Sequence, residues 1–267
     1  MKTIVFLIIS SGLFLPSKIY AQYTYWGLGG GYNFPVAGVQ IGDETDVFPG
    51  AGSPSASWTT KTLSFGKGSD MNAYIGYMLN KNFGTELNVS YLMGSNTTSS
   101  YTAIYTNHTS STTFTYSANM FRFTPSIRLQ VEKGYFAPYM VMGVIYGVST
   151  STAVKESGNT SPITDSAEYS GGYSLGFHSA LGIKMSIAVR LSFYAELSFN
   201  YQNYNPTKAD LFNGTVVANY VSSGTFNAAA QGSVVELPKV SLPFSSVGFN
   251  IGFHFDFADN TKPESAK

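Results

Sequence analysis

The chain contains three histidines, His108, His178 and His254, and these are the first candidates for acid–base or nucleophilic chemistry. A hydrolase needs a hydroxyl within hydrogen-bond reach of a histidine that a carboxylate orients. His178-Ser179 is an adjacent pair, but on a strand neighbouring side chains leave opposite faces, so the two would not meet. His108 lies among serines and threonines, a composition that suits a solvated loop as well as it suits a site. No group of residues has metal-ligand spacing, and the absence of cysteine removes thiolate chemistry and disulfides. Gly27, Gly29 and Gly31 recur at a period of two. A phosphate cradle needs its glycines in a loop that opens a helix, and no helical pattern follows. The simpler reading is that they make room for large side chains from neighbouring strands. The expectation is no catalytic residue, no metal and no cofactor.

The charged residues are more telling. Glu86, Arg122, Arg128, His178, Lys184, Arg190, Glu196, His254 and Asp256 all fall on the polar or small face of alternating segments. Val247–Phe257 shows the pattern best: Val247, Phe249, Ile251, Phe253, Phe255 and Phe257 on one face, Gly248, Asn250, Gly252, His254 and Asp256 on the other. The same period runs through Phe83–Met93, Phe121–Val131, Tyr173–Ile187 and Val189–Tyr201, and more weakly through Tyr23–Phe34, Met71–Leu79 and Tyr135–Val148. Eight such segments reach the 9–11 residues with which a tilted strand crosses a bilayer. Pro125 and Pro138 fall inside two of them, where either bulges or different strand limits are expected.

The connections alternate too. Lys81-Asn82, Lys133-Gly134 and a turn near Ser186-Ala188 are short, whereas Pro35–Ser69, Ser95–Thr115, Ser149–Ser170 and Asn205–Ser245 are long and expected to be loops. Short turns at one end and long loops at the other are the layout of an outer-membrane barrel. A pair formed around Gly214–Val221 would raise the strand count to ten. Composition agrees: charged residues are 11%, well under the ~25% of soluble domains, while aromatics reach 15%. Zero net charge argues against a nucleic-acid partner. Residues 1–21 read as a signal peptide, with Lys2, the apolar run Ile4–Ile9 and a cut after Ala21.

The eight segments and the Phe-rich closing strand resemble the OmpA/OmpX-type family of small outer-membrane β-barrels. The resemblance implies an all-β, transmembrane, antiparallel up-and-down barrel over residues 22–258, with eight strands and extracellular loops, and a short periplasmic tail, 259–267. It implies that Phe249, Ile251, Phe253, Phe255 and Phe257 form the C-terminal signal read by the barrel-assembly machinery, although Ala258–Lys267 follow it here. Glu86 and Glu196 look like the family's inward glutamates. The tail is too short for the periplasmic domain that OmpA carries. His178-Ser179 does not match the His-x-Ser spacing of the lipid A deacylases.

If the apolar face meets lipid, the nine polar residues enter a lumen just wide enough for side chains. Confined charges must pair, so a salt-bridged plug is expected. The alternative is a gated path lined by Arg122, Arg128, Lys184 and Arg190. The expected function is a structural or surface-interaction barrel, with outer-membrane lipid and lipopolysaccharide around it and an unidentified extracellular ligand. A narrow porin and a lipid A-modifying enzyme are the other two hypotheses.

Overall fold

The computed structural model describes residues 23–36, 39–48, 55–107, 109–131, 134–158, 166–211, 216–221, 234–238 and 241–257. The leader, the tail and His108 lie outside them. Strands dominate, because alternating β-branched and aromatic residues suit a pleated surface whose two faces meet different media. Eight strands close on themselves: β1 (Tyr23–Pro35), β2 (Gly68–Met78), β3 (Phe83–Gly94), β4 (Thr109–Gln130), β5 (Phe136–Gly158), β6 (Tyr173–Ala188), β7 (Leu191–Asn205) and β8 (Ser246–Phe257). Each pairs antiparallel with its neighbour, and β8 returns to β1. The register can be followed from Thr24 through Tyr77, Thr85, Ile127, Met142, Ser179, Phe199 and Val247. It re-enters β1 at Phe34, ten residues further along. That stagger is what tilted strands need to close a barrel.

The apolar face points out. Leu28, Ile75, Leu87, Phe123, Ile127, Leu181, Leu197, Phe249, Ile251 and Phe253 are all exposed. Such a surface is far larger than the apolar patches a soluble monomer tolerates. The opposite face forms a narrow interior.

The ring has the eight strands expected, and the ten-strand alternative is not realised, since Val216–Val221 pairs with Lys208–Leu211 and Val234–Pro238 outside it. Three expectations need correction. Pro125 and Pro138 cause no bulge. The β4–β5 ladder skips Thr124 and Pro125 and resumes at Ser126↔Gly143 in the register of Phe123↔Tyr146, so the missing donor costs pairs without shifting them. Pro138 lies just past Gln130↔Tyr139, where that ladder ends. The third tight turn is Val189-Arg190, with the register shift between Ser186 and Ala188.

The long connections contain strands as well. Val39–Phe48 and Ser55–Leu63 form a hairpin whose first strand runs parallel to Thr97–Tyr105, and Thr97–Tyr105 pairs with the outer half of β4. On the other side Ser166–Ser170 extends from β5 and Lys208–Leu211 pairs with it. Threonine and tyrosine supply β-propensity without apolar alternation, so these segments form strands that the two-residue period does not reveal.

Candidate functional site

Among the described residues titratable groups converge in the lumen, and it is layered along the barrel axis. Nearest the short turns, Lys184, His254 and Asp256 form a cluster: Lys184 Nζ lies 3.2 Å from Asp256 Oδ2, and His254 Nε2 lies 2.9 Å from Asp256 Oδ1. Tyr74 Oη is 2.9 Å from His254 Nδ1. One tautomer satisfies all of this, with Nε2–H donating to Asp256 and Nδ1 accepting from Tyr74. Beside it, Arg128 Nη1 donates to Glu86 Oε2 at 3.0 Å, Tyr25 Oη donates to the same oxygen at 3.1 Å, and Arg128 Nε donates to Gln130. The Arg128 guanidinium also lies 3.9 Å over the Tyr139 ring.

Four inward tyrosines build this layer, and each sits on a glycine. The register pairs Tyr25 with Gly76, Tyr74 with Gly27, Tyr139 with Gly182 and Tyr194 with Gly252. At each glycine an added Cβ would overlap the tyrosine ring. A ring that lies flat across the neighbouring strand needs a partner without a side chain, so the glycines let four large residues fill a narrow barrel. Gly29 and Gly31 follow the same logic beneath Tyr194 and Asn250.

Farther along the axis is a polar chamber lined by Asp70, Asn72, Asn88, Ser90, Arg122, Thr124, His178, Glu196, Ser198, Asn200 and Asn250. Its free volume is about 20 Å³, room for ~1 water and too little for an organic substrate. Arg122 Nη1 is 3.9 Å from Asp70 Oδ2, a loose ion pair. His178 Nδ1 is 2.7 Å from Asn200 Oδ1. Glu196 accepts from Tyr139 Oη at 3.1 Å and from Asn250 Nδ2 at 3.4 Å.

Beyond the chamber the interior turns apolar. Leu92, Met120 and Tyr204 meet Leu63, Phe65 and Phe244, which arrive from two different long connections. The two segments are stitched together: Phe65 N donates to Pro243 O at 2.8 Å, Ser64 Oγ to Ser245 O at 2.7 Å, and Phe244 N to Gln202 O on β7 at 2.8 Å. Phe65 and Phe244 stack at 5.6 Å across the mouth.

Eight of the nine expected lumen residues thus face inward, but they do not form a single network. Arg190 is the exception, an exposed residue of the Val189-Arg190 turn, because alternation ends where the strand does. His178 and Glu196 are held by neutral groups rather than by opposite charges. Asp70, the partner of Arg122, was not anticipated, since β2 begins three residues before the segment Met71–Leu79. The tyrosines, Phe65 and Phe244 were not anticipated either. The glycine spacing pointed to the tyrosines, while nothing local marked the two phenylalanines.

Tyr74, His254 and Asp256 have the connectivity of a hydroxyl, a base and its orienting carboxylate. The Tyr74 hydroxyl, however, is wedged against Gly27, where even one added carbon would overlap it. The cluster has the geometry of packing. Phe249, Ile251, Phe253, Phe255 and Phe257 alternate outward along β8, paired to β1. Among the described residues no group of three or more acidic, histidine or cysteine side chains could hold a metal.

No family model and no curated protein matches the chain. Among solved structures it is similar to Ail, the attachment invasion locus protein of Yersinia pestis, at 10% identity over 88% of this chain and 97% of that one, with a TM-score of 0.33. The fold stands on the closed register of the eight strands, independently of that likeness.

Proposed function

We infer that the chain is an integral protein of a bacterial outer membrane, exported through the leader 1–21, with a closed lumen and a structural or surface-interaction role carried by its extracellular strands and loops. The filled interior is the observation that supports this reading. A tyrosine layer with buried ion pairs, a chamber of about 20 Å³ and a Phe65–Phe244 closure follow one another along the axis. Residues on the side of the long connections are, by contrast, elaborated into a sheet well beyond the barrel wall. Surrounding outer-leaflet lipid and lipopolysaccharide are the partners this surface calls for. The alternating face of Phe249, Ile251, Phe253, Phe255 and Phe257 is assigned as the segment presented to the assembly machinery, and an extracellular ligand remains to be identified by binding.

The Arg122 chamber is what favours the second reading, a narrow porin. Planar-bilayer recording of the refolded protein separates the two: silence is expected, and steady channels of porin size would transfer the function to transport. No catalysis is assigned. Mass spectrometry of lipid A from cells with and without the protein should show identical acyl chains, and altered chains would overturn that assignment.

A further inference from the structure

The outward face of β4 changes character along a single strand. Leu129, Ile127, Phe123 and Phe121 are exposed and apolar. The same face then continues by alternation as Asn119, Ser117, Thr115, Thr113 and Ser111. Thr97–Tyr105 doubles this part of the wall, pairing Thr98 with Thr115, Ser100 with Thr113 and Thr102 with Ser111. The Thr102 and Ser111 hydroxyls lie 3.4 Å apart, which places them on one face. The result is a two-column ladder of hydroxyls that stands directly on the apolar belt.

Height and charge identify what such a ladder would face. From Asn119 to Ser111 a tilted strand climbs roughly 20 Å, whereas a phospholipid headgroup layer is only ~5–7 Å thick. Most of the ladder therefore stands above any phospholipid and beside an extended headgroup, if one is present. No Asp, Glu, Lys or Arg occurs from Ser95 to Phe121. The two strands of the ladder themselves bring neither cation nor anion, and the neighbouring β5 sets one cation, Lys155, opposite Thr115 at the ladder's edge. Columns of hydroxyls suit hydrogen bonding to sugar hydroxyls.

We propose that the outward hydroxyl ladder of β4 and Thr97–Tyr105 is a lateral contact surface for the neutral sugar chain of outer-leaflet glycolipids. This rests on the outer-membrane reading, which places that face above the lipid boundary.

The test compares refolded protein in phospholipid vesicles containing lipid A with the same vesicles containing a rough lipopolysaccharide that carries core sugars. Wild type should show a higher thermal midpoint with the sugar-bearing lipid than with lipid A. Thr98→Val with Thr113→Val and Thr115→Val should abolish that difference while leaving the lipid A midpoint in place. Thr112→Val, on the opposite face of β4, should retain it. If the triple variant does not fold, Thr115→Val alone should reduce the difference. Equal midpoints of wild type in the two lipids, or a difference that survives in the triple variant, would overturn the proposal. Failure to insert into either vesicle would instead strike at the outer-membrane reading. Stabilisation by added soluble protein but not by sugar would give the face to a protein partner and also overturn the proposal.

Discussion

At the scale of single residues, the lumen separates two kinds of buried charge that look alike in sequence. Arg128 and Glu86 are both almost wholly buried and directly paired, so Arg128→Ala leaves a carboxylate with only Tyr25 to hold it. Breaking a buried pair in this way costs ~3–5 kcal/mol. Glu196 accepts its hydrogen bonds from Tyr139 and Asn250, and Glu196→Ala strips neutral donors of one acceptor, a loss of ~1–3 kcal/mol. Urea unfolding in detergent micelles should therefore rank Arg128→Ala as the more damaging, and equal midpoints would contradict the assigned pairing. The tyrosine–glycine contacts give a second expectation. Gly182→Ala drives a Cβ into the Tyr139 ring and should cost ~1–3 kcal/mol as overpacking. In a Tyr139→Leu background the same substitution should cost less, and a cycle without coupling would sink the steric account. The inward parity of Glu86, Arg128 and Lys184 was legible because each lies in a strongly alternating segment. Asp70 was not, because the strand start was set by Met71. Tyr25, Tyr74, Tyr139 and Tyr194 escaped notice because tyrosine serves either face, and only the glycines opposite them carry the signal.

Individual elements differ in how much a period of two can say about them. Strands that separate lipid from lumen must alternate, and all eight were legible for that reason, to within a few residues at most ends. Strands outside the membrane have solvent on one or both faces and lose the pattern; Thr97–Tyr105 reads as a loop although the structure pairs it along its length. The closure at the mouth is harder still to foresee, since Phe65 and Phe244 are brought together only by the completed ring. Both closing segments lie outside the continuous ladders of the ring and are bonded mainly to each other, so they are expected to open locally at a lower free energy than the barrel. Phe244→Ala removes a fully buried ring. It should speed amide exchange at Phe65 and at position 244 at least about tenfold, the equivalent of ~1.4 kcal/mol, while amides of β8 near Asn250 keep their protection. Uniform acceleration across β8 would mean that the closure is an integral part of the barrel rather than a cover on it.

For the molecule as a whole, the deciding quantity is the height of its apolar belt. Closure with a ten-residue stagger tilts every strand, and an outward face that stays apolar from Phe257 to Val247 on β8, or from Val131, just past the end of β4, to Phe121, then spans ~25 Å along the axis. Beyond that band the exterior becomes turn on one side and hydroxyl ladder on the other. A bilayer thicker than the belt must thin around it or bury those polar residues, at fractions of a kcal/mol for each ångström of mismatch. The interior adds little tolerance, because tyrosines stacked on glycines leave no slack for the strands to change tilt. Refolding from urea into vesicles whose lipids differ only in acyl-chain length should therefore give its highest yield where the hydrocarbon thickness is close to ~25 Å, and lower yields on either side. Yield can be read as the fraction that resists unfolding by detergent at room temperature. A yield indifferent to thickness would show that the belt does not set the membrane position, and the height argument for the hydroxyl ladder would fall with it.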